Sequence, residues 1–221
     1  MAEVIALVAR PFWETLLMVF SSTAIAGLLG GSLGLGLHYM ANDRLSGHAA
    51  QLAIVKKVAD RLINTLRSFP FIILMVLVLP LSRLIVGTSL GTVAAIVPLS
   101  VAASPFVARI VEASLSEIDP GVLDAAISSG ASKRRILFAI LIPEALPSLV
   151  SGLTLTMITL VGYSAMAGVI GGGGLGDLAI RYGYQRFRTD IMISAVLVII
   201  ALVEGIQLCG NAITRGIRAR R

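Results

Sequence analysis

The polar segment at about 119–143 gathers the residues of this chain with a definable chemistry, and that chemistry is docking. Asp124 is followed by Ala125 and Ala126, then by Gly130, Ile140 and Pro143. Small alanine side chains let a helix backbone sink into a partner's groove, while a carboxylate offers a charged contact at its edge. Asp119 before Pro120 reads as an N-cap and first helical position, because the carboxylate accepts free amide protons and proline lacks the donor that would go unused. The first helix is expected to run to Gly130, a residue suited to a left-handed turn. Ser132 then caps a second helix bearing Ile136, Ile140 and Leu141 at helical spacing, and Pro143 and Pro147 are expected to redirect the chain. On these residues alone, a helix-turn-helix docking elbow and an ordinary amphipathic surface hairpin are both open.

Other chemistries find little support. No pair of intramembrane acids and no Ser/His pair suggests catalysis. Residues 171–176 satisfy G-x-G-x-x-G, yet no strand precedes them, so a flexible turn is expected and not a nucleotide site. His38 and His48 lack ligand-spaced companions, so no metal site is expected, and the single Cys209 excludes an intrachain disulfide. Glu204, inside an apolar run, is a candidate ion handle because burying charge is costly; snorkelling towards headgroups is the plainer account.

The elements that position the elbow belong in a membrane. Hydrophobic residues make up 57% of the chain and charged residues 14%, with a mean hydropathy of +0.93, which excludes an ordinary soluble domain. Five apolar runs, at about 15–37, 69–86, 90–111, 145–170 and 191–213, can each cross a hydrocarbon core of about 30 Å, which needs roughly 20 helical residues. Little chain remains for anything else, so 1–221 reads as a single all-α, multi-pass transmembrane domain with five membrane helices. The first run exceeds a signal h-region, and Glu3 and Glu14 spoil a basic n-region, so it is expected to persist as a helix.

Most of the 18 Lys and Arg fall on one side of these runs, including Arg44, Lys56, Lys57, Arg61, Arg67, Arg109, Lys133, Arg134, Arg135, Arg215 and Arg218. The positive-inside rule then puts the N-terminus outside, and the C-terminus and the 119–143 elbow in the cytoplasm. The net charge of +6 follows from this bias and needs no nucleic-acid partner. Arg109 and Glu112 read as an i,i+3 pair at the inner interface.

Placed between two spans on the cytoplasmic side, the elbow resembles the E-A-A-x3-G-x9-I-x-L-P signature of ABC importer permeases, with Asp124 in place of glutamate and Ile142 in place of leucine. Further stretches, among them 69–74, 85–91, 95–99, 143–147 and 160–168, are similar to the methionine-uptake permeases, and the likeness runs from Trp13 to Arg215. The resemblance implies five transmembrane helices, a homodimer in the bacterial inner membrane, two cytoplasmic ATPase subunits docked on the elbows, and a methionine-binding lipoprotein outside. Its implied cargo is D- and L-methionine or a close analogue. No G-x-x-x-x-G-K-[ST] occurs, so ATP and Mg are expected on the partner chain, and no cofactor or enzymatic activity on this one.

Within the fourth run, Gly152, Thr156, Thr159, Tyr163, Met166 and Ile170 recur at steps of four and three and therefore stack on one helix face. Thr156, Thr159, Tyr163 and Met166 are the candidate lining of a translocation path. Packing of helix on helix is the alternative. Asp177, Arg181, Arg186, Arg188 and Asp190 are candidates for an outer surface that meets the binding protein. The rival function is an ion-coupled secondary amino-acid transporter built around Glu204.

Overall fold

The computed structural model describes residues 2–219, which are all-α, with no strand among them. In chain order the helices are α1 (Ala2–Ala41), α2 (Asp43–Ser46), α3 (Ala49–Ser68), α4 (Phe71–Val86), α5 (Thr92–Ser116), α6 (Pro120–Ser128), α7 (Lys133–Arg135), α8 (Ile142–Val169), α9 (Gly174–Leu178) and α10 (Thr189–Arg218). Two π-helical stretches, Ile136–Leu141 and Ala179–Tyr184, join α7 to α8 and continue α9.

Four of the expected spans are straightforward: Leu7–Ala41, Thr92–Ser116, Lys133–Val169 and Thr189–Arg218 are long and apolar enough to cross a membrane. The expected span at 69–86 has a different form. Ala50–Ser68 and Phe71–Val86 make a pair bent by 108°, and five spans result if that pair counts as one. The break follows from Pro70, which has no amide to donate and forces Phe69 into extended backbone (φ −69°, ψ 133°).

Helix α3 occupies what reads in the sequence as a polar connection. It is amphipathic, with Ile54, Val58, Leu62 and Leu66 exposed in steps of four. Its other face is riveted to α5 by charge: Lys56 Nζ lies 2.9 Å from Asp60 Oδ2 and 3.0 Å from Glu112 Oε1, and Arg109 Nη1 lies 2.7 Å from Asp60 Oδ1 and 2.5 Å from Glu112 Oε2. Arg109 also donates to Asn64 Oδ1 at 3.2 Å. The pair expected between Arg109 and Glu112 is thus half of a four-charge network. All four side chains are partly buried, so each gains charge compensation from the others, and the network fixes the register of α3 on α5.

The most extensive packing in the molecule is between α1 and α5. It depends on two glycines one turn apart. A Cβ at Gly30 would overlap the carbonyl oxygen of Ser104, and one at Gly34 would overlap that of Ala108, so the two backbones touch where side chains are missing. Between apolar helices in lipid, such close approach is a main source of association. Gly152 in turn makes room for the side chain of Ile110 of α5, and Gly210 for that of Thr154 of α8. Around these contacts, Met18, Leu99, Val107, Leu115 and Leu160 form the buried centre.

Gly34→Leu should therefore force α1 off α5 and lower the melting temperature of the detergent-solubilised protein, with overpacking costing about 1–3 kcal/mol. Gly31→Leu is the control, because no atom lies within 4 Å of a Cβ there. Equal melting of the two variants in a size-exclusion stability assay would rule out the glycine contact as the organising one.

Candidate functional site

The elbow forms as a helix, a tight turn and a second helix. Asp119 Oδ1 accepts the Gly121 amide at 2.6 Å with Pro120 in the first turn, and Ser132 Oγ accepts the Arg135 amide at 3.4 Å, so both expected caps are made. Between them Gly130 adopts φ +74° with open space around it, so the need for glycine there is conformational and not steric.

Pro143 differs from expectation. It does not turn the chain, since Lys133–Val169 is one continuous helical stretch. The π-helical residues just before it explain why: the Ile142 amide reaches back to the Leu137 carbonyl, and the widened turn accommodates a residue that lacks an amide and would crowd the carbonyl four residues earlier. The second arm of the elbow is therefore the continuation of α8, and movement of the elbow is movement of that span.

The elbow's side chains divide into two groups. Ala125, Gly130 and Pro143 are exposed, whereas Ala126 is buried in the chain's own core and Ile140 is half-buried against it. Ala126 therefore packs inward and does not meet a partner's groove. Asp124 has a partner within its own chain: Arg44 Nη1 donates to its Oδ1 at 2.5 Å. Lys133 Nζ donates to the Ser46 carbonyl at 3.1 Å, and Leu45 is buried below. The short helix α2 thus clasps both arms of the elbow. Ile127 and Phe138 are exposed apolar side chains on it, 41% and 55% accessible, next to the exposed Arg134 and Arg135. The sequence reading missed Arg44, Ile127 and Phe138 as elbow residues. A basic run followed by an aromatic was the available signal for Phe138, whereas nothing local marked Arg44.

The stripe on α8 meets a cavity of about 220 Å³ lined by Thr156, Thr159 and Tyr163 together with Arg67, Phe71 and Phe106. Tyr163 stacks on Phe71 with ring centres 4.2 Å apart and planes 3° from parallel. Both threonine hydroxyls donate to their own helix, to the Gly152 and Leu155 carbonyls at 2.9 Å. Met166 lies one turn past the aromatic stack, 46% exposed and outside the cavity, so the structure brings together three of the four stripe residues. Glu204 is on the exposed face of α10 and borders none of the main cavities.

The glycine run at 171–176 is a packed turn that leads into α9, contrary to the flexible turn expected. Gly174, Leu175 and Gly176 are buried, and a Cβ at Gly176 would overlap Ala165 of α8. Glu14 accepts the Gly174 amide and Thr15 Oγ1 accepts the Leu175 amide, each at 2.9 Å, so the loop is pinned to α1. Its glycines serve close approach. Beyond it, Arg181 pairs with Asp177, and Arg188 pairs with Asp190 at 2.7 Å. These charges are satisfied locally.

A bundle of membrane-length helices with a capped, charged elbow between α5 and α8 defines an inner-membrane transport component. The family described as binding-protein-dependent transport system inner membrane component matches residues 44–220. The chain belongs to that family, and its relatives within it are methionine-uptake permeases. A probable D-methionine transport system permease protein of Vibrio cholerae is 45% identical over 94% of this chain and 91% of its own length. One from Haemophilus influenzae is 43% identical over 96% and 98%. Among solved structures, a chain of the MetNI methionine ABC transporter in an inward-facing conformation superimposes with a TM-score of 0.92 at 41% identity, covering 98% of this chain and 99% of that one.

The clasp can be tested by charge exchange. Arg44→Asp should lower stability by about 0.2–1 kcal/mol, the range of exposed ion pairs, and adding Asp124→Arg should recover it. A double variant no more stable than the single ones in thermal melts would mean that Asp124 serves a partner and not α2.

Proposed function

We propose that this chain is the membrane-spanning permease of an ATP-driven importer for methionine, taking the D- and L-isomers or a close thioether analogue. The observation that carries this reading is the 45% identity, over nearly the whole chain, to a permease named for D-methionine transport. Two copies form the path. Two ATPase subunits bind ATP and Mg and receive the elbows, and a binding lipoprotein delivers cargo at the opposite face. The distribution of Lys and Arg supports an outside N-terminus and a cytoplasmic C-terminus, which sets the elbow, with Ile127 and Phe138 exposed, towards the ATPases. The whole of 1–221 then acts as one permease domain.

In this mechanism, ATP-driven closure of the ATPases moves each elbow as a rigid body. Continuity from Lys133 to Val169 carries the motion into the span bearing Thr156, Thr159 and Tyr163. Asp124, Ala125, Ala126, Gly130, Ile140 and Pro143 shape the coupling element: Ala125 at its surface, Ala126 and Ile140 holding it to the body, Gly130 setting its turn and Asp124 fixing it to α2. Met166, beyond the cavity, is a residue of the route's outer part. The secondary-transporter reading loses ground because Glu204 borders no cavity.

In proteoliposomes containing the permease and its ATPase, methionine uptake driven by the loaded binding protein should require ATP and survive collapse of the proton gradient, and Glu204→Gln should retain most of it. Uptake that follows the proton gradient and disappears in that variant would transfer the assignment to the secondary transporter. Gly130→Val should reduce uptake severely, because a β-branched residue resists φ +74°, while Gly130→Asn should retain much more. If the valine variant assembles and transports normally, the elbow is not the coupling element.

A further inference from the structure

We infer that the cavity at the break between α3 and α4 is a binding site for a single zwitterionic amino acid with a linear apolar side chain, and that Arg67 holds its carboxylate. This rests on the reading of the Thr156, Thr159 and Tyr163 face as part of the translocation path.

Arg67 is the charged residue of the cavity lining. It lies at the C-terminal end of α3, beside the break, with its guanidinium carbon 5.8 Å from the ring centre of Phe106. Phe106 lies one turn before Arg109 on α5, and Arg67, an exposed residue, lines the cavity. Lys56 and Arg109 are neutralised by Asp60 and Glu112; Arg67 has no carboxylate partner among the described residues. An exposed guanidinium without a carboxylate partner is available to an anionic group of a ligand. The carbonyl ends of α3 and the aromatic face offset part of the charge and leave the guanidinium fork free for a bidentate carboxylate.

The rest of the lining suits the other parts of an amino acid. Thr159, which is partly exposed, spends its hydroxyl proton on the Leu155 carbonyl, so its oxygen presents lone pairs that can accept from an ammonium group. Leu74, Phe71 and Tyr163 give an apolar and aromatic wall, and a thioether makes favourable contacts with aromatic rings. The volume of about 220 Å³ is below the roughly 300–1,000 Å³ of sites for drug-sized ligands and suits a ligand the size of one amino acid. The break itself supplies what an unbroken span could not: irregular backbone at membrane depth is tolerated where it lines a cavity, and the first amides of α4 have no side-chain cap.

The test is equilibrium binding of labelled L-methionine to the full-length chain in lipid nanodiscs, with competition by unlabelled L-methionine and its methyl ester. The wild-type chain should bind and prefer the free acid by at least tenfold. Arg67→Gln should lose most of that preference, so that acid and ester compete alike, and Arg67→Lys should keep part of it. Phe106→Leu, which leaves the cation in place, should weaken binding yet preserve the acid-to-ester ratio. Absence of binding, equal competition by ester and acid in the wild type, or an undiminished preference in Arg67→Gln would overturn the site. ATP-driven methionine uptake by the reconstituted transporter separates the two levels: uptake without binding in nanodiscs sinks this site alone, and no methionine uptake at all sinks the importer assignment beneath it.

Discussion

Helices in lipid gain nothing by hiding apolar side chains from one another, so their arrangement depends on how closely their backbones can meet. In this chain the deciding contact is that of Gly30 and Gly34 with the carbonyl-bearing face of α5. It holds α1 and α5 together as the frame against which α8 and α10 are placed, through Gly152 on Ile110 and Gly210 on Thr154. A frame held by backbone approach is geometrically strict, because the contact is lost once a methyl group intrudes. That strictness suits a machine whose neighbouring parts move, since the moving spans need a fixed reference.

The moving parts are tied to the frame by polar contacts. The clasp of Arg44 and Lys133 joins the elbow to α2, α2 leads into α3, and the Lys56, Asp60, Arg109 and Glu112 network fastens α3 to α5. The cavity with Arg67 lies where α3 ends. Elbow and cavity are therefore linked by two routes, one along the continuous helix of α8 and one through α2 and α3. Charge pairs in a partly buried site hold register firmly yet can exchange partners, which glycine contacts cannot do.

Much of this was legible in the sequence because the physics is local. Apolar length gave the spans, Asp119 and Pro120 gave a helix start, Gly130 gave a left-handed turn, and the four-three spacing put Thr156, Thr159 and Tyr163 on one face. What failed to show was whatever depends on distant chain. Helix α3 looks like a polar connection because Lys56, Lys57, Asp60, Arg61 and Arg67 lower its hydropathy, although Ile54, Val58, Leu62 and Leu66 already carry a helical period. The pairing of Arg44 with Asp124, 80 positions apart, has no local signature. Pro143 reads as a breaker unless a π turn precedes it, and residues 171–176 read as loose unless one knows that Ala165 and Glu14 lie against them.

Helix α1 has a consequence for the membrane itself. It is held about a third of the way along, where Glu14 and Thr15 accept the first amides of α9, and near its C-terminal end, where His38 Nδ1 lies 3.4 Å from Ser116 Oγ. Between Glu14 and His38 runs roughly 36 Å of helix at about 1.5 Å per residue, slightly more than the hydrocarbon thickness of about 30 Å. A rod pinned at two points about one hydrocarbon thickness apart acts as a gauge. A stretch longer than the hydrocarbon core accommodates by tilting, so a thinner bilayer favours a steeper tilt of α1 together with α5, which is packed along it.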